Sequence, residues 1–363
     1  MSRTRRPNPF KPTAGMNPPE LIGRDAVLDG FIEGLDNGPG APDRLMRISG
    51  VRGVGKTVLL NALGRIAQER GFSVVNVASN VGFCERIRHM LIKGRKIRTA
   101  EAAPSVLGVS LGSVEFAPPE ESLGDAMLTA AEHGGLLVTL DEIQDADVDE
   151  MRLLGNEIQL LIRQGANVAF VFAGLPAAVD DIVSEKTITF LQRAKHVELA
   201  ALPGREVGVS MEDTIRGSGM EISAATAAVL GEAAAGYPFM VQLVGYYSWQ
   251  SARRRESDTL EREDACRGIT EARANFDAMV LEPALRRLPG MQRDYLVAMA
   301  QCEGAPIESG EVARKMGKDT KAISSYRRRL MDQGIIVKVG YGTVDFAIPY
   351  MREYLRDNMD DFA

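Results

Sequence analysis

The first half of the chain alternates between short apolar runs and segments in which apolar residues recur every three or four positions. Short apolar runs are typical of strands buried on both faces, and the wider spacing is typical of helices with one buried face. Strands that alternate with helices predict an α/β fold around a parallel sheet. The pattern predicts strands at 44–49, 72–77, 135–140, 167–176 and 196–200, with helices at 58–67, 85–93 and 151–163.

Helical periodicity dominates after Pro203-Gly204, where alanine becomes abundant. The triplet Gly236-Tyr237-Pro238 interrupts the helical pattern, because proline cannot continue a helix but suits the first turn of the next one. The pattern predicts a helical unit at 203–288 that follows an α/β unit at 20–202. Its helices are predicted at 205–216, 223–235, 239–254 and 261–288.

A third unit is predicted at 289–363. Three helices precede a hairpin that turns at Gly340-Tyr341-Gly342, which is the order of a winged helix-turn-helix. In that motif the third helix enters the DNA major groove. The helices are predicted at 292–301, 310–316 and 319–333, and the hairpin at 334–348.

The third of these helices carries positive charge on its outer face. Between Lys318 and Arg329 five basic residues accompany one acidic residue, whereas the whole chain has a net charge of −6. A local basic face favours contact with the phosphate backbone of double-stranded DNA. The alternative is a winged helix that serves as a protein–protein or autoinhibitory module. The candidate DNA contacts are Lys321, Ser325, Arg328 and Arg329.

Two further stretches stand apart from this pattern. Residues 1–19 contain five prolines and four basic residues but no acid, which predicts a disordered tail. Residues 104–119, bracketed by prolines, predict an inserted hairpin or loop.

Three cysteines without a C-x-x-C pair predict reduced thiols in a cytoplasmic protein, and no apolar run approaches the length of a membrane span.

The strand at 44–49 leads into a G-x-x-x-x-G-K-[ST] sequence, which is a P-loop. Its glycines allow a tight backbone turn whose N–H groups, with the N-terminus of the next helix, point at a polyphosphate. Lys56 is expected to reach the β- and γ-phosphates of ATP or ADP, and Thr57 to bind Mg²⁺. The candidate contacts are Gly50, Val51, Arg52, Gly53, Val54, Gly55, Lys56, Thr57 and Val58.

A second acidic motif follows the apolar strand at 135–140. Asp141 and Glu142 stand at its carboxyl end, the edge where open parallel sheets bind ligands. After a P-loop, such a pair predicts that Asp141 helps to hold Mg²⁺ and that Glu142 is the catalytic base that polarises the attacking water.

These motifs, with Leu21-Ile-Gly-Arg-Asp25 before the P-loop, resemble the AAA+ and STAND ATPases related to archaeal origin-recognition proteins. The resemblance implies an ASCE-type P-loop NTPase sheet with a helical lid and a C-terminal winged helix. It also implies that Ile22, Gly23 and Arg24 contact adenine and ribose, and that Pro238 packs on the nucleotide.

Two positions extend or limit this resemblance. Arg193 corresponds to an arginine that relatives direct at the phosphates, in cis or from a neighbouring subunit, and a plain surface arginine is the alternative. Where relatives carry a polar γ-phosphate sensor, this chain has Ala173-Gly174. That departure affects the expected hydrolysis rate rather than nucleotide binding.

The sequence therefore predicts an ATP-binding and hydrolysing switch that couples nucleotide state to DNA binding. One alternative is a STAND-type regulator that controls self-association or a protein partner. Another is a protein that keeps ATP or ADP as a structural ligand without turnover.

Overall fold

A five-stranded parallel sheet forms the centre of the first unit. The computed structural model describes residues 7–13, 21–102, 121–179 and 189–359, without the side chains of 95–102 and 189–190. The spatial strand order is β2-β3-β4-β1-β5, so β4 lies between β1 and β3. The strands are β1 (Leu45–Ser49), β2 (Ser73–Ala78), β3 (Leu136–Asp141), β4 (Val168–Gly174) and β5 (Lys195–Glu198).

Helices cover both faces of this sheet. One apolar core joins the sheet to the first two helices, and a second core joins its other face to the next three. All seven residues of β4 are buried, which accounts for its continuous apolar sequence. The predicted α/β fold is confirmed. The helices are α1 (Asp25–Asp36), α2 (Lys56–Glu69), α3 (Phe83–Ala102), α4 (Leu123–Glu132) and α5 (Val148–Arg163). The predicted insertion at 104–119 lies outside the described residues.

The second unit is helical, as expected, but its last predicted helix is divided. A π-helical turn at Asp277–Leu281 separates α9 from α10. Pro283 explains the division, because proline has no N–H to donate and its ring clashes with the carbonyl four residues earlier. The helices are α6 (Gly204–Gly217), α7 (Ala224–Ala233), α8 (Pro238–Arg254), α9 (Arg262–Phe276) and α10 (Glu282–Arg286); β6 (Glu221–Ile222) and β7 (Thr259–Leu260) form a short pair.

The C-terminal unit has three helices, then a hairpin, then a further helix. A short strand before α12 pairs with the hairpin in a three-stranded sheet of order β8-β10-β9. This strand and the last helix are additions to the predicted elements. The elements are α11 (Gly290–Ala300), β8 (Ile307–Glu308), α12 (Ser309–Lys315), α13 (Ser324–Asp332), β9 (Ile336–Gly340), β10 (Thr343–Phe346) and α14 (Met351–Asp357).

Helix α13 begins five residues later than the sequence pattern predicted. The carboxylate of Asp319 accepts a hydrogen bond from the Ala322 amide at 2.7 Å, and the Ser324 hydroxyl donates to the Lys321 carbonyl at 2.7 Å. These local bonds satisfy the backbone in a turn, in competition with a helix. Lys321 consequently lies in the turn before the helix.

The helical unit and the C-terminal unit share one apolar core, which extends across the predicted boundary at 288–289. Tyr350, just before α14, donates a hydrogen bond to the Ala233 carbonyl at 2.6 Å. The guanidinium of Arg273 lies 3.8 Å from the centre of the Tyr350 ring. The C-terminal unit is therefore packed against the helical unit, which is called the lid below. Among the described residues, no helix is long and apolar enough to cross a membrane.

The expectation of a disordered tail is wrong for residues 7–13. Phe10 is 2% exposed and belongs to the core of the helical unit. The tail composition concealed this, because one large apolar side chain among prolines and basic residues leaves no periodic pattern.

The close packing of α8 and α9 gives a test of the fold. A β-carbon at Gly268 would lie 2.3 Å from the backbone nitrogen of Ser248. Gly268→Ala should therefore lower the free energy of unfolding by about 1–3 kcal/mol in urea titrations. Gly94→Ala is the control: Gly94 is helical with no neighbour within 4 Å, so alanine should be neutral or stabilising. Equal effects of both substitutions would contradict this packing.

Candidate nucleotide-binding site

The loop between β1 and α2 has the conformation that its glycines predict. Gly53 and Gly55 have φ values of +74° and +100°, in the left-handed region that L side chains rarely adopt. Helix α2 begins at Lys56, and no side chain in the described part of the chain caps it. The free N–H groups of the first turn, together with the helix dipole, make this end of α2 suited to an anion.

Lys56 is held inside the loop. Its side-chain ammonium donates hydrogen bonds to the carbonyls of Gly50 at 2.9 Å and Val51 at 3.1 Å. Burial lowers the pKa of this ammonium, and the carboxylates of Glu142 and Asp141 oppose the shift in part. A buried ammonium whose hydrogen bonds go to neutral carbonyls is costly, so this position favours binding of a negatively charged group.

Thr57 and Asp141, the two predicted Mg²⁺ ligands, are neighbours. The Thr57 hydroxyl donates to the Asp141 carboxylate at 2.5 Å. Burial raises the pKa of Asp141, the hydrogen bond from Thr57 opposes this shift, and the charge of Glu142 adds to it. A hydroxyl and a carboxylate at the sheet edge are hard oxygen ligands of the kind that Mg²⁺ takes alongside phosphate oxygens and water. The residues present therefore fit the expected ion.

Glu142 follows β3 in a left-handed conformation, with φ 58° and ψ 47°. This conformation is unusual for a residue with a side chain, and such strain concentrates at functional sites. The Gln144 amide donates to the Glu142 carboxylate, and its oxygen accepts from the Leu175 amide at 3.2 Å. Gln144 thus orients Glu142 and links it to the end of β4.

Gln144 was missed in the sequence, where the end of β4 offered only Ala173-Gly174. A β-carbon at Gly174 would lie 2.5 Å from the side chain of Ile143 and 3.2 Å from the Gln144 oxygen. The short residue at 174 leaves room for the loop after β3. Gln144 therefore provides a polar group beside a strand end that lacks one.

A cavity of about 430 Å³ lies between the P-loop and the helical unit. It is lined by residues of the P-loop, of α8, of the segment before α1 and of the N-terminal segment 7–13. Gly50, Val51, Arg52, Gly23 and Asp141 are not among its lining residues in the described chain. The predicted site residues that line it are Gly53, Val54, Gly55, Lys56, Thr57, Val58, Ile22, Arg24, Pro238 and Glu142.

The triplet before α8 packs on the P-loop. A β-carbon at Gly53 would lie 1.9 Å from the Tyr237 hydroxyl oxygen, and one at Gly55 would lie 3.7 Å from Pro238. Burial raises the pKa of Tyr237 to about 12. The sequence singled out Pro238, but Tyr237 makes the closer approach to the loop.

The three residues of the segment before α1 have different surroundings. Ile22 lines the cavity, as expected of a base contact. Arg24 also lines it, but its guanidinium donates to the carbonyls of Ala200 at 3.1 Å and Val54 at 3.4 Å. Gly23 has a φ of +63° and faces Glu206 and Leu202. Arg24 therefore links the segment before α1 to the P-loop at Val54 and to the segment after β5 at Ala200. Gly23 allows the backbone turn before α1.

Arg193 does not belong to this cavity. It precedes β5 and lines a separate cavity of about 500 Å³ at the amino ends of the strands, with Arg44 and Arg163. The P-loop lies at the carboxyl ends of the same parallel strands, roughly 16 Å away for a five-residue strand. A role for Arg193 at the phosphates in cis is therefore wrong; the role in a neighbouring subunit stays a prediction.

The predicted DNA contacts lie away from the cavity, on and before α13. Lys321, Ser325, Arg328 and Arg329 are all exposed, whereas Leu330 is fully buried. Gly334, in the turn after α13, is buried against the α/β unit. An added β-carbon there would lie 2.8 Å from Leu175 and 3.5 Å from Arg52.

Comparison with protein families matches residues 20–171 to the AAA ATPase domain. Residues 20–171, which hold the P-loop and the acidic pair after β3, are therefore similar to that domain. Residues 278–355 match a domain of unknown function, DUF8462, so the second matched region includes the predicted winged helix. None of the curated proteins compared with the chain matches it.

Solved structures share this fold across nearly the whole chain. The Walker-type ATPase PABY2304 of Pyrococcus abyssi has a TM-score of 0.66 at 17% identity, with 93% of this chain and 96% of that chain covered. The ORC2 protein of Aeropyrum pernix, in its ADPNP–ADP complexes, has a TM-score of 0.62 at 18% identity, with 97% and 96% covered. At these identities the likeness concerns the fold alone.

The desolvated carboxylate at Asp141 gives a prediction for the nucleotide-free protein. Asp141→Asn should raise the unfolding temperature at pH 7, because an amide carries no charge to desolvate. A carboxyl whose pKa is raised on folding stabilises the fold at low pH and loses that contribution as pH rises through the raised pKa. The gain should therefore be largest near pH 7 and shrink towards about pH 4.

Calorimetry over that pH range measures the effect, with Asp29→Asn on the exposed face of α1 as the control. A gain in the Asp141 variant that does not change with pH, or a loss of stability at pH 7, would contradict this account of the site.

Proposed function

We propose that the chain binds ATP and hydrolyses it, and that nucleotide state controls how its C-terminal winged helix engages double-stranded DNA. The observation that carries the proposal is a continuous line of contacts from the P-loop to the C-terminal unit. It begins at Gly53 and Tyr237 and ends at Tyr350. In this proposal the units are residues 20–202, 203–288 and 289–363, with the last two moving as one packed body.

Hydrolysis follows from the groups around the cavity. The free N–H groups at the start of α2 and the Lys56 ammonium neutralise the β- and γ-phosphates as charge develops. Glu142, oriented by Gln144, accepts the proton of the water that attacks the γ-phosphorus. Bound Mg²⁺, held by Thr57 and Asp141, would add positive charge at the phosphate oxygens.

Coupling runs through aromatic side chains. The Tyr237 and Phe276 rings meet edge to face with centroids 5.6 Å apart, and Phe276 meets Tyr350 in the same way at 6.4 Å. Because Tyr237 touches Gly53, a nucleotide that shifts the P-loop must shift Tyr237 or be resisted by it. Tightly packed rings pass such a displacement on, since interiors have little free volume.

A second contact supports the coupling. The turn at Gly334 lies against Arg52 of the P-loop and against Leu175 after β4. Arg52 thus belongs to the loop predicted to bind phosphate and also lies beside the turn at the C-terminal end of α13. A ligand that reorients the Arg52 side chain alters the surface on which the winged helix rests.

Binding to DNA is proposed from charge and exposure. Lys321 and Arg329 are exposed in the stretch 318–329, where five basic residues accompany one acidic residue in a chain with a net charge of −6. A phosphate backbone is therefore attracted locally and not by the molecule as a whole. Ser325 and Arg328, exposed on α13 with Arg329, complete the proposed contact surface.

Nucleotide turnover tests the first part of the proposal. Lys56→Ala should lose ATP affinity, because the cation at the phosphates is removed. Glu142→Gln should retain ATP binding and slow hydrolysis by about a hundredfold or more, since a general base contributes at least that factor. Phosphate release and equilibrium ATP binding measure the two effects, with exposed Glu132→Gln as the control. A Glu142 variant as fast as the wild type would exclude the assigned base.

DNA binding tests the second part. A Lys321→Ala/Arg329→Ala variant should bind duplex DNA more weakly, and the slope of log K against log salt should fall by roughly 0.9 for each phosphate that the variant no longer neutralises. The matched control is Arg65→Ala/Lys93→Ala, which removes the same charge from exposed positions on α2 and α3. Fluorescence anisotropy at several salt concentrations gives both slopes. Equal reductions of affinity in the two variants, or no DNA affinity at low salt, would exclude the proposed surface.

The second candidate function is a partner-controlled switch of the STAND type. The contact of Gly334 with Arg52 favours it, because a C-terminal unit resting on the P-loop can hold the protein inactive until a partner displaces it. Arg193, on the far edge of the sheet, would then meet the nucleotide of a second copy. This candidate requires turnover that is indifferent to DNA but rises with self-association, measured by sedimentation beside the ATPase assay.

A further inference from the structure

The N-terminal segment Asn8–Thr13, here called the strap, lies along helix α8. The Asn8 side chain donates to the Tyr246 carbonyl at 3.0 Å, and the Lys11 amide donates to the Gln242 side chain at 2.9 Å. Within the strap, the Phe10 amide donates to the Asn8 side chain at 3.0 Å. The strap is therefore fixed to the lid at two points and braced internally.

Phe10 anchors the strap. Its ring is buried in the core of the helical unit and fills the space in front of Gly245. A β-carbon at Gly245 would lie 2.4–2.6 Å from three ring atoms. A helical glycine costs stability relative to alanine, so its presence at the point where the ring inserts indicates a fitted contact. The strap is packed into the lid, although Gly245 lies more than two hundred residues after Phe10 in the sequence.

The position of the strap places it at one end of the nucleotide cavity. Helix α8 starts at Pro238, beside Gly55 of the P-loop. Gln242 is one turn further along, about 6 Å, and Gly245 about 10 Å. The strap therefore lies away from the phosphate end, and its residues Lys11 and Thr13 line the same cavity as Ile22.

The cavity has a lining suited to a nucleoside. Ile22, Phe239, Met279 and Val280 supply apolar surface, and the strap residues Lys11 and Thr13 line the same cavity. Sites of this kind combine apolar walls for a flat ring with a few polar groups that fix its orientation. The apolar wall fits a base, and the strap adds the polar groups.

We propose that the strap is part of the nucleotide site: Lys11 and Thr13 contact the base and ribose, and Phe10 holds them in place on the lid. This inference rests on the proposed ATP binding. If the strap contacts the nucleotide, one wall of the nucleotide site on the lid is formed by a segment about two hundred residues earlier in the sequence. By linkage, a nucleotide that contacts the strap also strengthens its docking.

Two strap variants test the proposal against two ligands. Phe10→Ala removes the anchor, and Lys11→Ala/Thr13→Ala removes the exposed contacts without disturbing the core. Calorimetric titration compares ATP with inorganic tripolyphosphate, which has no base or ribose. Both variants should bind ATP about tenfold more weakly, which corresponds to about 1.4 kcal/mol, and should bind tripolyphosphate as the wild type does. Removal of residues 2–6, which leaves the strap intact, is the control.

A second readout follows the strap itself. Saturating ATP should slow hydrogen exchange at the Phe10 and Lys11 amides, and tripolyphosphate should not. The fluorescence of Trp249, buried on α8, reports whether each variant keeps its fold. If Phe10→Ala unfolds the lid, the ATP affinity of the Lys11/Thr13 variant alone tests whether the strap contacts the nucleotide.

The outcomes separate the two levels of the proposal. Unchanged ATP affinity in the Lys11/Thr13 variant would overturn the strap contacts and leave ATP binding intact. Equal weakening for ATP and tripolyphosphate would also overturn the inference, because the strap would then act at the phosphate end or on the fold. A wild-type protein that binds neither ligand would refute the proposed function, and the strap inference with it.

Discussion

The approach of the Tyr237 hydroxyl to Gly53 is the constraint on which the account of this molecule depends. The oxygen lies only 1.9 Å from the position that a β-carbon at residue 53 would take, so the P-loop needs glycine there both for its φ of +74° and for this contact. The contact joins the α/β unit to the lid at the point where phosphates are expected. Everything proposed about communication between the two ends of the chain passes through it or beside it.

The electrostatics of the site point in the same direction. Lys56 is a buried cation hydrogen-bonded to neutral carbonyls, Asp141 is a carboxylate whose pKa burial raises, and α2 begins without a capping side chain among the described residues. Each arrangement costs stability in the absence of a ligand, and a polyphosphate with its cation would compensate all three. This is the pattern of a site selected for binding at some expense of the fold.

Local motifs determined what the sequence could predict. The P-loop, the acidic pair after β3 and the strand pattern are encoded in contiguous residues, so the parallel sheet and the phosphate end of the site were predictable. Contacts between distant residues were not. Phe10 contacts Gly245, although the whole α/β unit lies between them in the sequence. Gln144 supplies a polar group beside the end of β4, whose own residues are apolar there. Arg193 was assigned to the phosphates by its order in the chain, but the parallel topology places it at the opposite edge.

The central claim is that nucleotide at the P-loop moves the C-terminal unit relative to the α/β unit. The most direct measurement is the distance between spin labels at Gln68 on α2 and Lys338 on β9, both exposed, with and without saturating ATP and Mg²⁺. The account predicts a distance distribution that shifts with ATP in the wild type and does not shift in a Lys56→Ala background. Identical distributions in a protein whose ATP binding has been verified would contradict it.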